Sequence, residues 1–192
     1  QIFPICLLLF LLAVAGCRHG AGSSDEPLYD SVDMALARSH EYDRVKERRI
    51  DALRHELGKR PKPTLETELV EELVDEYESY NSDSALHYVN RYLRLPRVAA
   101  DSSRWLRMTI RKADIASHAG LYKEAMEILE NCRPADSDTS LLIEYYNTYC
   151  GLYQYQSEYT TDSEFLEENE SMRALYNDSL MAICPPESFL YL

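Results

Sequence analysis

Apolar residues recur at helical spacing along most of this chain, and breaks of glycine, proline or asparagine divide the pattern into short stretches. Paired stretches recur with a period of roughly 40 residues. They predict helical hairpins over about residues 64–95, 102–132 and 139–183, preceded by two N-terminal helices. Because one helix pair cannot bury its own apolar stripe, stacked pairs must cover one another. The pattern therefore predicts an all-α fold, a right-handed array of helical hairpins (an α-solenoid).

The middle hairpin has the most regular spacing of small and apolar residues. Ala113 and Ala125 are expected where its two helices cross closely, and Gly120 is expected to take the left-handed turn between them. Leu129 and Cys132 should face the next hairpin. The full spacing is Ala113-x-x-Ala116-x-x-x-Gly120-x-Tyr122-x-x-Ala125-x-x-x-Leu129-x-x-Cys132. This spacing resembles a tetratricopeptide repeat, although the other two hairpins match it only in part.

Longer stretches resemble the N-terminal part of a Bacteroidetes family known as domain of unknown function 6377. These stretches are residues 42–53, 80–88 and 119–125, and Pro185-Pro186 also fits. The resemblance implies a helical-repeat domain outside the cytoplasm, followed by a membrane-spanning helix, a coiled coil and a regulatory cytoplasmic region. It also implies that a chain ending at Leu192 is a fragment of a longer protein.

The N-terminus indicates the compartment. Residues 2–15 are almost wholly apolar and lead into Val14-Ala15-Gly16-Cys17, which resembles a bacterial lipobox. We expect a signal peptide over residues 1–17 with lipid attachment at Cys17, a tether over 18–28 and the repeat domain over 29–192. Ordinary cleavage after Ala15, which leaves Cys17 unmodified, is the alternative. Either route places the domain in the cell envelope, with a lipid or a downstream helix as its membrane anchor.

Charge and motifs exclude several classes of function. The net charge is -13, and residues 136–192 hold one basic residue against eleven acidic ones, which argues against nucleic-acid binding by this segment. No nucleotide-binding, nucleophile-elbow or zinc-protease motif occurs, and the histidines do not pair at helical spacing. We therefore expect no enzyme, no cofactor and no metal site.

Three cysteines remain after the signal, and they are far apart without a C-x-x-C pair. Either one disulfide joins two of Cys132, Cys150 and Cys184, or at least two of them are buried as small apolar side chains.

Tyrosine is the residue type most suited to binding here, since fifteen occur in the chain. Tyr145, Tyr149 and Tyr153 recur at i, i+4 and i+8, with Tyr146 alongside. On the concave side of an array, this face and Trp105 would offer flat apolar area with hydroxyl donors. The alternative is that the same rings fill wide gaps between helices.

The leading hypothesis is a non-enzymatic envelope protein that binds a peptide or protein partner, as the sensor part of a membrane-anchored regulator. The alternatives are a surface lipoprotein that binds glycans and a plain assembly scaffold. A glycan site should pair exposed aromatic rings with Asp, Asn and Gln, whereas a peptide groove should continue across all three hairpins. A scaffold should expose an apolar patch that self-associates.

Overall fold

The computed structural model describes the backbone of residues 26–185 and the side chains of residues 30–185. Within this range the secondary structure is helical throughout, which confirms the all-α prediction. The helices are α1 (Glu26–Ala37), α2 (Ser39–Gly58), α3 (Pro63–Glu78), α4 (Ser82–Leu93), α5 (Pro96–Ala99), α6 (Ser102–His118), α7 (Tyr122–Glu130), α8 (Thr139–Tyr159) and α9 (Ser163–Ile183). None of these described helices is long and apolar enough to cross a membrane. The signal segment and Cys17 lie outside the described residues.

The chain divides into two compact units, residues 1–45 and 46–192. The described part of the first unit holds α1 and the beginning of α2. Its large apolar side chains are exposed, namely Val32, Met34, Leu36, Tyr42 and Val45. Because α1 begins at Glu26, the last residues of the predicted tether 18–28 are helical.

The second unit holds three helical hairpins, α3–α4, α6–α7 and α8–α9. Side-chain caps begin several of these helices, because an Asn or Asp oxygen accepts the first free backbone N–H groups. Asn81 accepts from Ser84 at 2.8 Å, and Asp101 accepts from Arg104 at 3.0 Å. The one-turn helix α5, which the apolar pattern does not predict, connects the first hairpin to the second.

Helix α6 lies between two hydrophobic clusters and contributes to both. The first cluster joins α2, α3 and α4 to Met108 and Ile115 on one side of α6. The second joins Ala113 and its neighbours on the other side of α6 to α7 and α8. Ala113 and Ala125 are fully buried, as the repeat spacing predicts for a close helix crossing. The hairpins are therefore stacked through shared cores and do not behave as separate helix pairs.

Backbone geometry defines the end of α2 and the beginning of α3. Gly58 is the last residue of α2, and Arg60 takes the left-handed conformation with φ of 55°. Helix α3 begins at Pro63, and Lys62 supplies no side-chain cap. Proline suits this position, because its fixed φ is already helical and its missing N–H has no partner there anyway.

Only residues 160–162 separate α8 from α9. Helix α8 continues to Tyr159, and α9 begins at Ser163 after Asp162, whose carboxylate accepts from Glu164 at 2.9 Å. The first turns of α9 are exposed and rich in glutamate. Without a buried stripe, this part of α9 carries no apolar periodicity by which to recognise it.

Gly120 occupies the turn between α6 and α7 with φ of 77°, as the sequence predicts. A Cβ there would meet no atom within 4 Å, so a substitution strains the backbone alone. We expect Gly120→Ala to destabilise the protein by about 1–2 kcal/mol, the cost of a left-handed residue with a side chain. Urea denaturation followed by circular dichroism measures this, with helical Gly58→Ala as the matched control. Equal stability of the two variants would contradict the turn geometry.

Candidate functional site

The tyrosine side of α8 packs against α9 and is not accessible to a ligand. Tyr145, Tyr149 and Tyr153 are only 5%, 3% and 7% exposed. The ring of Tyr149 stacks on that of Tyr176 in α9, with centroids 4.0 Å apart and planes 1° from parallel. In the structure these three tyrosines do not form an accessible stripe but fill a gap between helices, which is the alternative named above.

Burial raises the pKa of the three tyrosine hydroxyl groups. The Tyr145 hydroxyl donates to the carbonyl oxygen of Leu129 at 3.2 Å, which ties α8 to the second hairpin. Burial raises the pKa of Tyr149 well above its ordinary value and raises the pKa of Tyr153 to about 12. These hydroxyl groups serve packing and hydrogen bonding between helices.

The other two predicted contact residues are accessible but lie apart. Tyr146 is half-buried, and its ring centroid lies 6.2 Å from that of Tyr176. Trp105 is 39% exposed on α6. Successive helical residues are about 100° apart, so Trp105 points away from Arg107, two residues later. Among the described residues, no ring pair joins Trp105 to a tyrosine of α8.

The accessible side shared by α3, α6 and α8, the first helix of each hairpin, is named here the first-helix face. Arg111 of α6 bridges to α3 through Asp75, at 2.6 Å, and Glu78. Arg107 of α6 bridges to α8 through Glu144, at 3.1 Å. Burial opposes the charge on Arg111, but hydrogen bonds to Glu78 and Asp75 outweigh it and raise the pKa of the guanidinium group. The face is thus a continuous polar surface across three hairpins.

A recess of about 280 Å³ lies where α3, α4 and α6 meet on this face. The Tyr92 hydroxyl donates to the Glu71 carboxylate there at 3.2 Å. Burial, with the charge of Glu71, raises the pKa of Tyr92 to about 12. Carboxylate, guanidinium and apolar groups share the recess, whose lining residues are Glu71, Tyr92, Asp101, Ser103, Arg104, Arg107 and Met108. Such a mixture can hold the backbone or a polar side chain of a peptide.

The three cysteines are free thiols. Cys132 and Cys184 are buried, which confirms that at least two act as small apolar side chains. Burial raises the pKa of the Cys132 thiol to about 11 and also raises that of Cys150. Over residues 30–185, no group of three or more His, Cys, Asp or Glu side chains could hold a metal ion.

The model of the family described as the SusR N-terminal TPR domain matches residues 36–192. The chain belongs to this family. The match spans all three hairpins, so the predicted resemblance to tetratricopeptide repeats is confirmed. No curated protein and no solved structure matches the chain. Membership of domain of unknown function family 6377 stays a prediction.

Sequence reasoning missed the arginines of the first-helix face. Arg104, Arg107 and Arg111 recur at helical spacing on α6, which is a signal visible in the sequence. The acidic partners of Arg107 and Arg111, on α8 and α3, lie more than thirty residues away along the chain. The arginine spacing alone indicates a solvated charged side of a helix and does not reveal a surface shared by three helices.

Proposed function

We propose that this SusR N-terminal TPR domain is a non-enzymatic protein of the cell envelope whose first-helix face binds a peptide or protein partner. The observation that carries this proposal is the continuity of that face. Arg111 joins α6 to α3, and Arg107 joins α6 to α8. A partner laid across the face therefore meets all three hairpins, which is how repeat arrays recognise extended segments.

The burial of the tyrosine stripe weighs against the glycan-binding alternative. That alternative needs exposed rings beside amide and carboxylate groups, and Tyr145, Tyr149 and Tyr153 stack within the core. Tyr146 and Trp105 remain accessible, but among the described residues no ring contact joins them. A protein partner is also what tetratricopeptide-repeat domains generally bind.

We further propose that the domain is the extracytoplasmic sensor part of a membrane-anchored regulator. Lipid attachment at Cys17 or a downstream helix would hold it at the membrane. Partner binding across three hairpins would then be the signal that the regulator detects, because each repeat of a stacked array contacts its neighbours.

Site-specific photo-crosslinking in cells of the native host tests the proposal. A benzoylphenylalanine replaces exposed Glu68 on α3, exposed Asn147 on α8 or, as the control, exposed Glu127 on α7. We expect one partner, identified by mass spectrometry, to crosslink from both first-helix positions and not from α7. A partner captured equally from Glu127, or from one hairpin alone, would overturn the proposal.

A further inference from the structure

An aromatic and acidic group lies at the edge of the first-helix face, where α6 ends, α7 begins and α8 ends. We name His118, Tyr122, Tyr155, Glu158 and Tyr159 the turn-edge cluster. The centroids of the His118 and Tyr155 rings lie 4.8 Å apart, and those of Tyr122 and Tyr159 lie 6.2 Å apart. Tyr159 is 80% exposed, so this cluster differs from the buried tyrosines of α8.

Hydrogen bonds hold part of the cluster in a fixed orientation. Nδ1 of His118 lies 2.9 Å from the carbonyl oxygen of Asp114, and a carbonyl oxygen can only accept. Nδ1 therefore carries the hydrogen, which leaves Nε2 of the neutral ring as an acceptor. The Tyr155 hydroxyl lies 2.8 Å from Nε2 and donates to it. The Tyr155 ring is thus ordered before any ligand arrives.

A carboxylate charge acts on both sides of the cluster. The pKa of Tyr155 is raised mainly by burial, and further by the negative charges of Asp114 and Glu158. The pKa of Tyr122 is also raised mainly by burial, and further by the nearby Tyr159 and Glu158. A Glu158 oxygen accepts a hydrogen bond from the neutral Gln154 amide at 3.1 Å, which leaves its negative charge in place.

Lys123, the basic residue next to the cluster in the sequence, forms an ion pair outside the cluster. Lys123 follows Tyr122 along α7, and its amino group lies 3.8 Å from the carboxylate of Glu127. Leu121, at the turn before α7, is 40% exposed and adds apolar area beside the rings. The edge therefore combines the exposed ring of Tyr159, the half-buried rings of Tyr122 and Tyr155, negative charge and a small apolar surface.

We propose that the turn-edge cluster binds a lysine or arginine side chain of the partner, which deepens the peptide-binding function proposed above and rests on it. A cation within about 6 Å of a tyrosine ring is attracted by the ring's negative face. Glu158 supplies the opposite charge, and Leu121 suits the apolar stem of a long basic side chain. The occupant is therefore a lysine or arginine in an extended segment, with the apolar stem of its side chain against Leu121.

Titration of the purified chain with the peptide Ac-Lys-Leu-Lys-NH2, followed by two-dimensional NMR, tests this inference. We expect saturable shift changes confined to residues 118–122 and 155–159, and none with Ac-Glu-Leu-Glu-NH2. Tyr159→Ala should weaken binding by about two- to five-fold, as expected for an exposed cation–π contact. The matched control is Phe165→Ala, which removes a 60% exposed ring from the acidic beginning of α9.

Two results would overturn the inference. One is shift changes spread over the acidic surface of α9, and the other is equal weakening by Phe165→Ala and Tyr159→Ala. The crosslinking experiment separates this inference from the proposed function. If a partner is captured from Glu68 and Asn147 but no peptide binds at the turn-edge cluster, only the inference about this cluster is contradicted. Peptide binding without any captured partner contradicts the broader function.

Discussion

Replacement of Tyr149 with alanine is expected to lower the free energy of unfolding by about 3–5 kcal/mol, the range for losing a buried aromatic ring. The ring is 3% exposed and stacks on Tyr176. It also packs edge-on against Tyr145, with centroids 5.1 Å apart. Its loss would leave a cavity that the neighbouring tyrosines of α8 and α9 cannot fill without losing their own contacts.

Chemical denaturation of Tyr149→Ala beside Tyr159→Ala measures this effect. Tyr159 lies ten residues later on the same helix and is 80% exposed, so its loss should change stability by less than about 0.5 kcal/mol. If the two variants are equally stable, the tyrosines of α8 do not form the core of the third hairpin.

Replacement of Leu73 with alanine is expected to cost about 2–5 kcal/mol and to act mainly on the first hairpin. Leu73 is fully buried in the cluster that joins α2, α3 and α4. Since each repeat contacts only its neighbours, the loss should open α3 and α4 before the distant α8–α9 pair. Amide hydrogen exchange resolves the two regions.

The control for this second experiment lies on the same helix. Leu65 is 46% exposed near the beginning of α3, so Leu65→Ala should leave exchange almost unchanged. Equal loss of protection in α8 and in α3 for Leu73→Ala would show that the array unfolds as one block and would contradict the nearest-neighbour account.

Periodicity recovered the hairpins because each helix has one apolar side. The left-handed conformation of Gly120 followed from a local pattern alone. The burial of the α8 tyrosines could not be predicted, because the same spacing suits a stripe that binds a ligand and a stripe that packs against a neighbouring helix. Only the position of Tyr176 on α9 decides between them, and α9 itself has little periodicity in its first turns.

The first-helix face could not be derived from the sequence for a related reason. Arg111 and Glu78 are 33 residues apart, and Arg107 and Glu144 are 37 apart. Charged residues on one helix indicate a solvated surface, and their partners appear only after the hairpins have stacked. The turn-edge cluster is likewise assembled from the ends of three helices.

Three tyrosines of α8, Tyr145, Tyr149 and Tyr153, are buried in the core, whereas Tyr159 at the end of the same helix is exposed. Acetylation of tyrosine hydroxyl groups by N-acetylimidazole, with peptide mapping by mass spectrometry, measures which of these tyrosines are accessible. We expect rapid modification of Tyr159 and protection of Tyr145, Tyr149 and Tyr153 until the protein unfolds. Modification of these three tyrosines in the folded protein as fast as that of Tyr159 would contradict the account.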